Sequence, residues 1–187
     1  MFSKTIQPTA ELYAAARAGN LEDVKNILEK YKSQGLKPDR GTLLAAIKSG
    51  NVTLVQYFNK EHGSIPKCGL MEAFDEAKSL EMAKYLVKEF PALLHSADHH
   101  LTWAAARTGD VECLKFVLQV GRPWIRADSG TLCDAVRGGS LDMVRLLVEE
   151  HSLTDIDEAL EFAKSRNNQE IVVYLQSKLE EKPRNSL

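Results

Sequence analysis

The chain has 187 residues and a formal net charge of −2, with 44% hydrophobic and 27% charged residues. This balance suits an ordered chain with apolar material for one domain or a short repeat array, and excludes a disordered one. It lacks the basic excess that grips nucleic acid or a membrane surface, so neither is expected as a partner.

Cys68, Cys113 and Cys133 are odd in number and unclustered, which fits neither a disulfide framework nor a zinc motif. The first residues lack the apolar run of a signal peptide, and no stretch approaches the ~20 apolar residues of a membrane span. The expected location is the cytoplasm, with the nucleus as the alternative.

Residues 1–8 read as a tail ending at Pro8, and residues 180–187, polar and containing Pro183, as a second one. Between them, over 9–179, one pattern recurs: a short helix, a corner and a second helix. The corners are Gly19, Gly50, Lys78, Gly109, Gly139 and Asn167, separated by 31, 28, 31, 30 and 28 residues. A period near 30 marks a repeat array. After each corner stands a preferred N-cap residue: Asn20, Asn51, Ser79, Asp110, Ser140 and Asn168. Five of the six residues two further on are acids, which the positive end of a helix dipole favours.

Two apolar columns follow on the second helices. One is Val24, Val55, Ala83, Leu114, Val144 and Val172; three residues later comes Ile27, Phe58, Leu86, Val117, Leu147 and Leu175. Spacing of this kind predicts a buried seam. On the first helices, four residues before the corner, stand Ala15, Ala46, Phe74, Ala105, Ala135 and Ala163. Alanine recurring there predicts close helix approach, with Phe74 as the misfit. Seven before the corner stand Leu12, Leu43, Met71, Thr102, Leu132 and Leu160, where Leu101 competes with Thr102 for the slot. Asp39, Asp98 and Asp128 each open a turn eleven residues before a corner. The connections over 64–68 and 152–155 lack that turn. Gln169 breaks the apolar column of Leu21, Val52, Leu80, Val111 and Leu141, as an atypical terminal repeat would.

The segments Ala14-Ala-Ala-Arg-Ala-Gly-Asn-Leu-Glu-Asp-Val, Ala104-Ala-Ala-Arg-Thr-Gly-Asp-Val-Glu-Cys-Leu and Asp128-Ser-Gly-Thr-Leu-Cys-Asp-Ala-Val resemble ankyrin repeats. The units are shorter than the family's usual 33 residues and lack its Thr-Pro-Leu-His tetrapeptide. The resemblance implies an all-α, ankyrin-like solenoid of about six repeats with short or absent β-hairpin fingers. It further implies a scaffold or adaptor that binds a protein on a concave face, without catalysis or cofactor, and monomeric in isolation.

Two readings compete at most chemically suggestive positions. His95, His99 and His100, with Asp98 among them, offer imidazoles to a metal, yet match no metal motif; an exposed turn explains them as well. A hydrolase or metal-dependent enzyme using them is the alternative function, and a structural dimerisation module a third. Cys113 shares a helical column with Leu54, Met82 and Met143, which favours a packed thiol over a nucleophile. Trp124 is expected in the core, whereas Trp103 is open between core and partner anchor. Two residues before the corners stand Arg17, Lys48, Glu76, Arg107, Arg137 and Ser165, and Arg166 adjoins the last. Cations there stabilise helix C-termini; by the family resemblance they also face a groove that would take an acidic or phosphorylated segment. The expected partner-binding set is Arg17, Arg40, Lys48, His99, His100, Trp103, Arg107, Ser129, Arg137 and Arg166. No catalytic or metal-ligating residue is assigned.

Overall fold

The computed structural model describes residues 7–63, 70–77, 79–95, 100–123 and 125–181. Cys68, Lys78, Asp98, His99, Trp124 and the connection over 64–68 lie outside them, as do the side chains of Met71 and His95. The described residues form helices and their connections, with no strand among them. No helix among them is long and apolar enough to cross a membrane. The chain divides into two compact units, Met1–Phe90 and Pro91–Leu187.

The first unit holds α1 (Pro8–Arg17), α2 (Leu21–Lys30), α3 (Arg40–Lys48), α4 (Val52–His62), α5 (Leu70–Asp75) and α6 (Leu80–Glu89). The second holds α7 (His100–Thr108), α8 (Val111–Val120), α9 (Ser129–Gly138), α10 (Leu141–Glu149), α11 (Ile156–Ser165) and α12 (Gln169–Glu181). α1 pairs with α2, α3 with α4, α7 with α8, α9 with α10 and α11 with α12, and within each unit the first helix of each hairpin packs on the first helix of the next. Two boundaries move outward from the sequence reading. Pro8 begins α1, because the first helical position needs no N–H. At the other end α12 continues through Glu180 and Glu181, good helix formers.

The corners explain the hairpins. Gly19, Gly50, Gly109 and Gly139 have φ between 70° and 78°, and Asn167 has 55°. This left-handed conformation penalises a β-carbon, which glycine lacks and asparagine tolerates. The residue after each corner then caps the second helix. Asn20, Asn51, Ser79, Asp110 and Ser140 accept the N–H of Asp23, Leu54, Met82, Cys113 and Met143 respectively. Asn168 accepts from Ile171 at 3.4 Å. Asn51 also ties hairpins together, since its Nδ2 donates to the Gly19 carbonyl at 2.7 Å.

Two of the first helices, α3 and α9, are capped by aspartate turns. Asp39 accepts both the N–H and the hydroxyl of Thr42 at 2.7 Å. Those two donors hold its carboxyl below the usual range. Asp128 accepts the same pair from Thr131 and donates its own N–H to the Thr131 hydroxyl at 3.1 Å.

The alanine column is buried throughout, and Phe74 with it, at 1% exposed. Its hairpin differs: α5 has six residues and stops at Asp75, so Ala73, Phe74 and Ala77 fill the seam together. Leu101 and Thr102 are both fully enclosed, so the contested slot takes two residues; the hydroxyls of Thr102 and Thr131 are hydrogen bonded at 3.1 Å. The second-helix columns are buried except Ile27, which is half-buried and lines a shallow groove with Ala10 and Ala14.

Close approach is tightest at Gly138, where a β-carbon would lie 2.7 Å from the Arg107 carbonyl oxygen of α7. Backbone there cannot step aside. Gly138→Ala is therefore expected to destabilise the fold by roughly 1–3 kcal/mol, and Ala105→Leu by a similar amount, through overpacking of α7 against α9. Urea titration checks both, and a loss within error for the pair would mean that the seam is loose.

Candidate functional site

The exposed edge of α7, α9 and α11 collects most of the residues singled out in the sequence. It begins at His100, the exposed first residue of α7, whose ring lies 5.0 Å from that of Trp103. Trp103 is half-buried, one turn in, and its Nε1 donates to Asp128 Oδ1 at 2.8 Å. The same carboxylate caps α9, so the indole is fixed by a group that the fold already needs. Gly130 makes room for it, because a β-carbon there would lie 2.6–2.8 Å from the indole. Trp103 is thus neither wholly core nor wholly exposed: one edge is packed and bonded, and the residue as a whole is half-buried.

Further along the edge, Asp134 projects from α9 between two arginines. Its Oδ2 accepts from Arg107 Nη2 of α7 at 3.1 Å, and its Oδ1 forms an ion pair with Arg137 Nη1 at 2.9 Å. Asp134 is 5% exposed, while the two guanidinium side chains remain 39% and 49% exposed. A carboxylate so enclosed needs charged donors to offset its lost hydration. The arginines supply them while their own side chains stay substantially exposed. Arg137 also lies 5.6 Å from the centre of the Phe162 ring on α11, and Arg166 lies 5.8 Å from the same ring. Both distances fall in the range of cation–π attraction.

In the first unit two of the cations are each matched by an acid of α5 or its C-terminal end. Lys48 pairs with Glu76 at 2.9 Å, and Arg40, at the start of α3, pairs with Glu72 of α5. Arg17 ends α1, exposed, with no ion pair among the described residues. Ser129 is the first residue of α9, beside Asp128. His99 lies outside the described residues, so the structure does not place it.

Sequence reasoning overlooked Asp134 and Phe162. Both stand five residues before a corner, in a column otherwise filled by Ala14, Ala45, Ala73 and Ala104. A lone acid and a lone aromatic in an alanine column were the available signal. Glu72 was missed for a plainer reason: nothing in one helix reveals which neighbour its acids meet.

Of the histidine trio, only the placement of His100 is described in full. Among the described residues no group of three His, Cys, Asp or Glu could hold a metal ion. Cys113 is 1% exposed, and burial, then the Asp110 charge, pushes its thiol up to about 12. No protein-family model matches the chain, and no curated protein matches it.

Two outcomes follow from this geometry. Asp134→Ala removes the one acid shared by two cations; a loss of about 1–3 kcal/mol is expected, moderated because both arginines can turn to water. Thermal unfolding measures it, and a neutral substitution would show that Asp134 does not hold the pair. For Cys113 the folded pKa exceeds the ordinary value near 9, so folding favours the protonated thiol. Its contribution to stability is complete below pH 9 and fades between pH 9 and about 12. Alkylation at pH 8 in the native state should therefore modify the half-buried Cys133 before Cys113, as peptide mass mapping would show.

Proposed function

We propose that the chain is a protein-binding scaffold of ankyrin-type repeats, three in each unit. The exposed edge of α7, α9 and α11 receives a short acidic or phosphorylated segment of its partner. One observation carries the reading: Arg107 and Arg137 share Asp134 on that edge, and Arg137 and Arg166 both lie near the Phe162 ring. Trp103 and His100 extend the same edge with accessible aromatic surface. Arginine and tryptophan are the side chains that most often dominate protein interfaces. The ankyrin-type assignment is supported by left-handed corners, capped second helices and alanine-lined first helices, repeated at a period near 30.

Binding of this kind is expected to weaken with salt, because exposed charges are screened beyond about 8–10 Å at ordinary ionic strength. Exchanging Arg107 and Arg137 together for glutamine tests the edge. Glutamine is preferable to glutamate, which would set like charges beside the enclosed Asp134 and unsettle the fold. Affinity purification from host extract with mass spectrometry should recover a partner with the unaltered chain and lose it with the double variant. Circular dichroism must stay unchanged between the two. Equal recovery with an intact spectrum would move the binding face elsewhere.

A further inference from the structure

Resting on the reading above, we propose that Arg107 and Arg137, held apart by Asp134 and joined by Arg166, form a seat for one phosphate dianion on the bound segment. The argument starts from what Asp134 does. It accepts a hydrogen bond from Arg107 Nη2 on Oδ2 at 3.1 Å and forms an ion pair through Oδ1 with Arg137 Nη1 at 2.9 Å. Each guanidinium carries five N–H donors in a rigid planar fork. Fixing one donor on a buried acid leaves the outward donors of both forks in set positions. An incoming anion meets two ordered forks rather than two free chains, so less side-chain entropy is lost on binding.

Charge then selects the ligand. Arg107 and Arg137 share one carboxylate, and Arg166 lies near the same Phe162 ring as Arg137, so the guanidiniums outnumber the acid that they contact. Asp128, which caps α9 and accepts from Trp103, and Glu158 add negative charge near Cys133, and Glu161 pairs with Lys164 at 2.6 Å. A side-chain carboxylate brings one negative charge. A phosphorylated serine or threonine brings about 1.5 to 2 at pH 7, with three acceptor oxygens to spread over the forks. Phosphate is therefore the better match in both charge and geometry.

The test uses the full chain, 15N-labelled, with the arginine Nε–H signals read by NMR at constant ionic strength. The probes are N-acetyl-phosphoserine amide and N-acetyl-glutamate amide. The phosphoserine probe should shift the Arg107 and Arg137 signals saturably, and the glutamate probe should do so much more weakly. Arg107→Gln or Arg137→Gln should each reduce phosphoserine affinity about tenfold, the usual worth of a charge-assisted hydrogen bond. Lys115→Gln, on α8 and paired with Glu112, makes the same charge change and should leave the affinity as it was. Equal response to both probes, or affinity indifferent to Arg107→Gln, overturns the phosphate seat. That result is separable from failure of the scaffold reading, which is decided by partner recovery with the double glutamine variant.

Discussion

The hairpins depend on a residue that can turn left-handed at the corner, as Gly19, Gly50, Gly109, Gly139 and Asn167 do. Helices of nine to thirteen residues, the length of all but one here, are marginal alone in water. They persist because the corner folds each one back against its partner. A side chain at Gly109 would lose roughly 1–2 kcal/mol to the backbone conformation alone. It would also meet Ser140 of the next hairpin at 3.4 Å. One residue thus fixes the hairpin angle and the spacing to its neighbour. The cap that follows gains its geometry from the same turn: once the chain reverses, the side chain of Asp110 faces the open N–H groups of Glu112 and Cys113.

The alanine seam is the second consequence. With Ala105 and Ala135 fully buried, α7 and α9 come close enough for the backbone of Gly138 to meet the Arg107 carbonyl. Such proximity carries a side effect. A polar group entering the seam cannot reach water, so Asp134 needs partners supplied by the protein. Both of its oxygens find a guanidinium, and no buried side-chain nitrogen or oxygen among the described residues lacks a partner. Burial of an ion pair contributes little net stability in general. What it provides here is placement: two long, flexible side chains are held where the helix seam puts them.

Much of the helical framework was legible in the sequence, because it is built from local rules. Corner conformation, N-caps and buried columns each follow from a residue and its neighbours within four positions. Even the misfit at Phe74 was visible, although not its resolution through a shortened α5 and Ala77. Helix ends were legible only to within one or two residues, as Pro8 and Glu181 show. Contacts across the seam were far less accessible. Nothing in α7 says that Arg107 will meet Asp134, 27 residues away, and nothing in α3 says that Arg40 will meet Glu72. The space that Gly130 gives to Trp103 depends on where an indole rests, which periodicity does not encode.

The row of cations before the corners illustrates why this matters for function. Viewed as a column, Lys48, Arg107 and Arg137 are equivalent, and each can favour a helix C-terminus by about 0.3–1 kcal/mol. Their acids make them different. Lys48 meets Glu76 and Arg40 meets Glu72, so α3 and α5 neutralise one another and little field remains. In the second unit one carboxylate serves two arginines, and a third arginine stands against Phe162 with no ion pair among the described residues. The excess of positive charge is therefore set by what faces the column across the seam, and not by the column itself. Repeats with one backbone plan and one basic position thus differ in charge through the acids that the neighbouring helix supplies: Glu72 and Glu76 of α5 in the first unit, and Asp134 alone against Arg107 and Arg137 in the second.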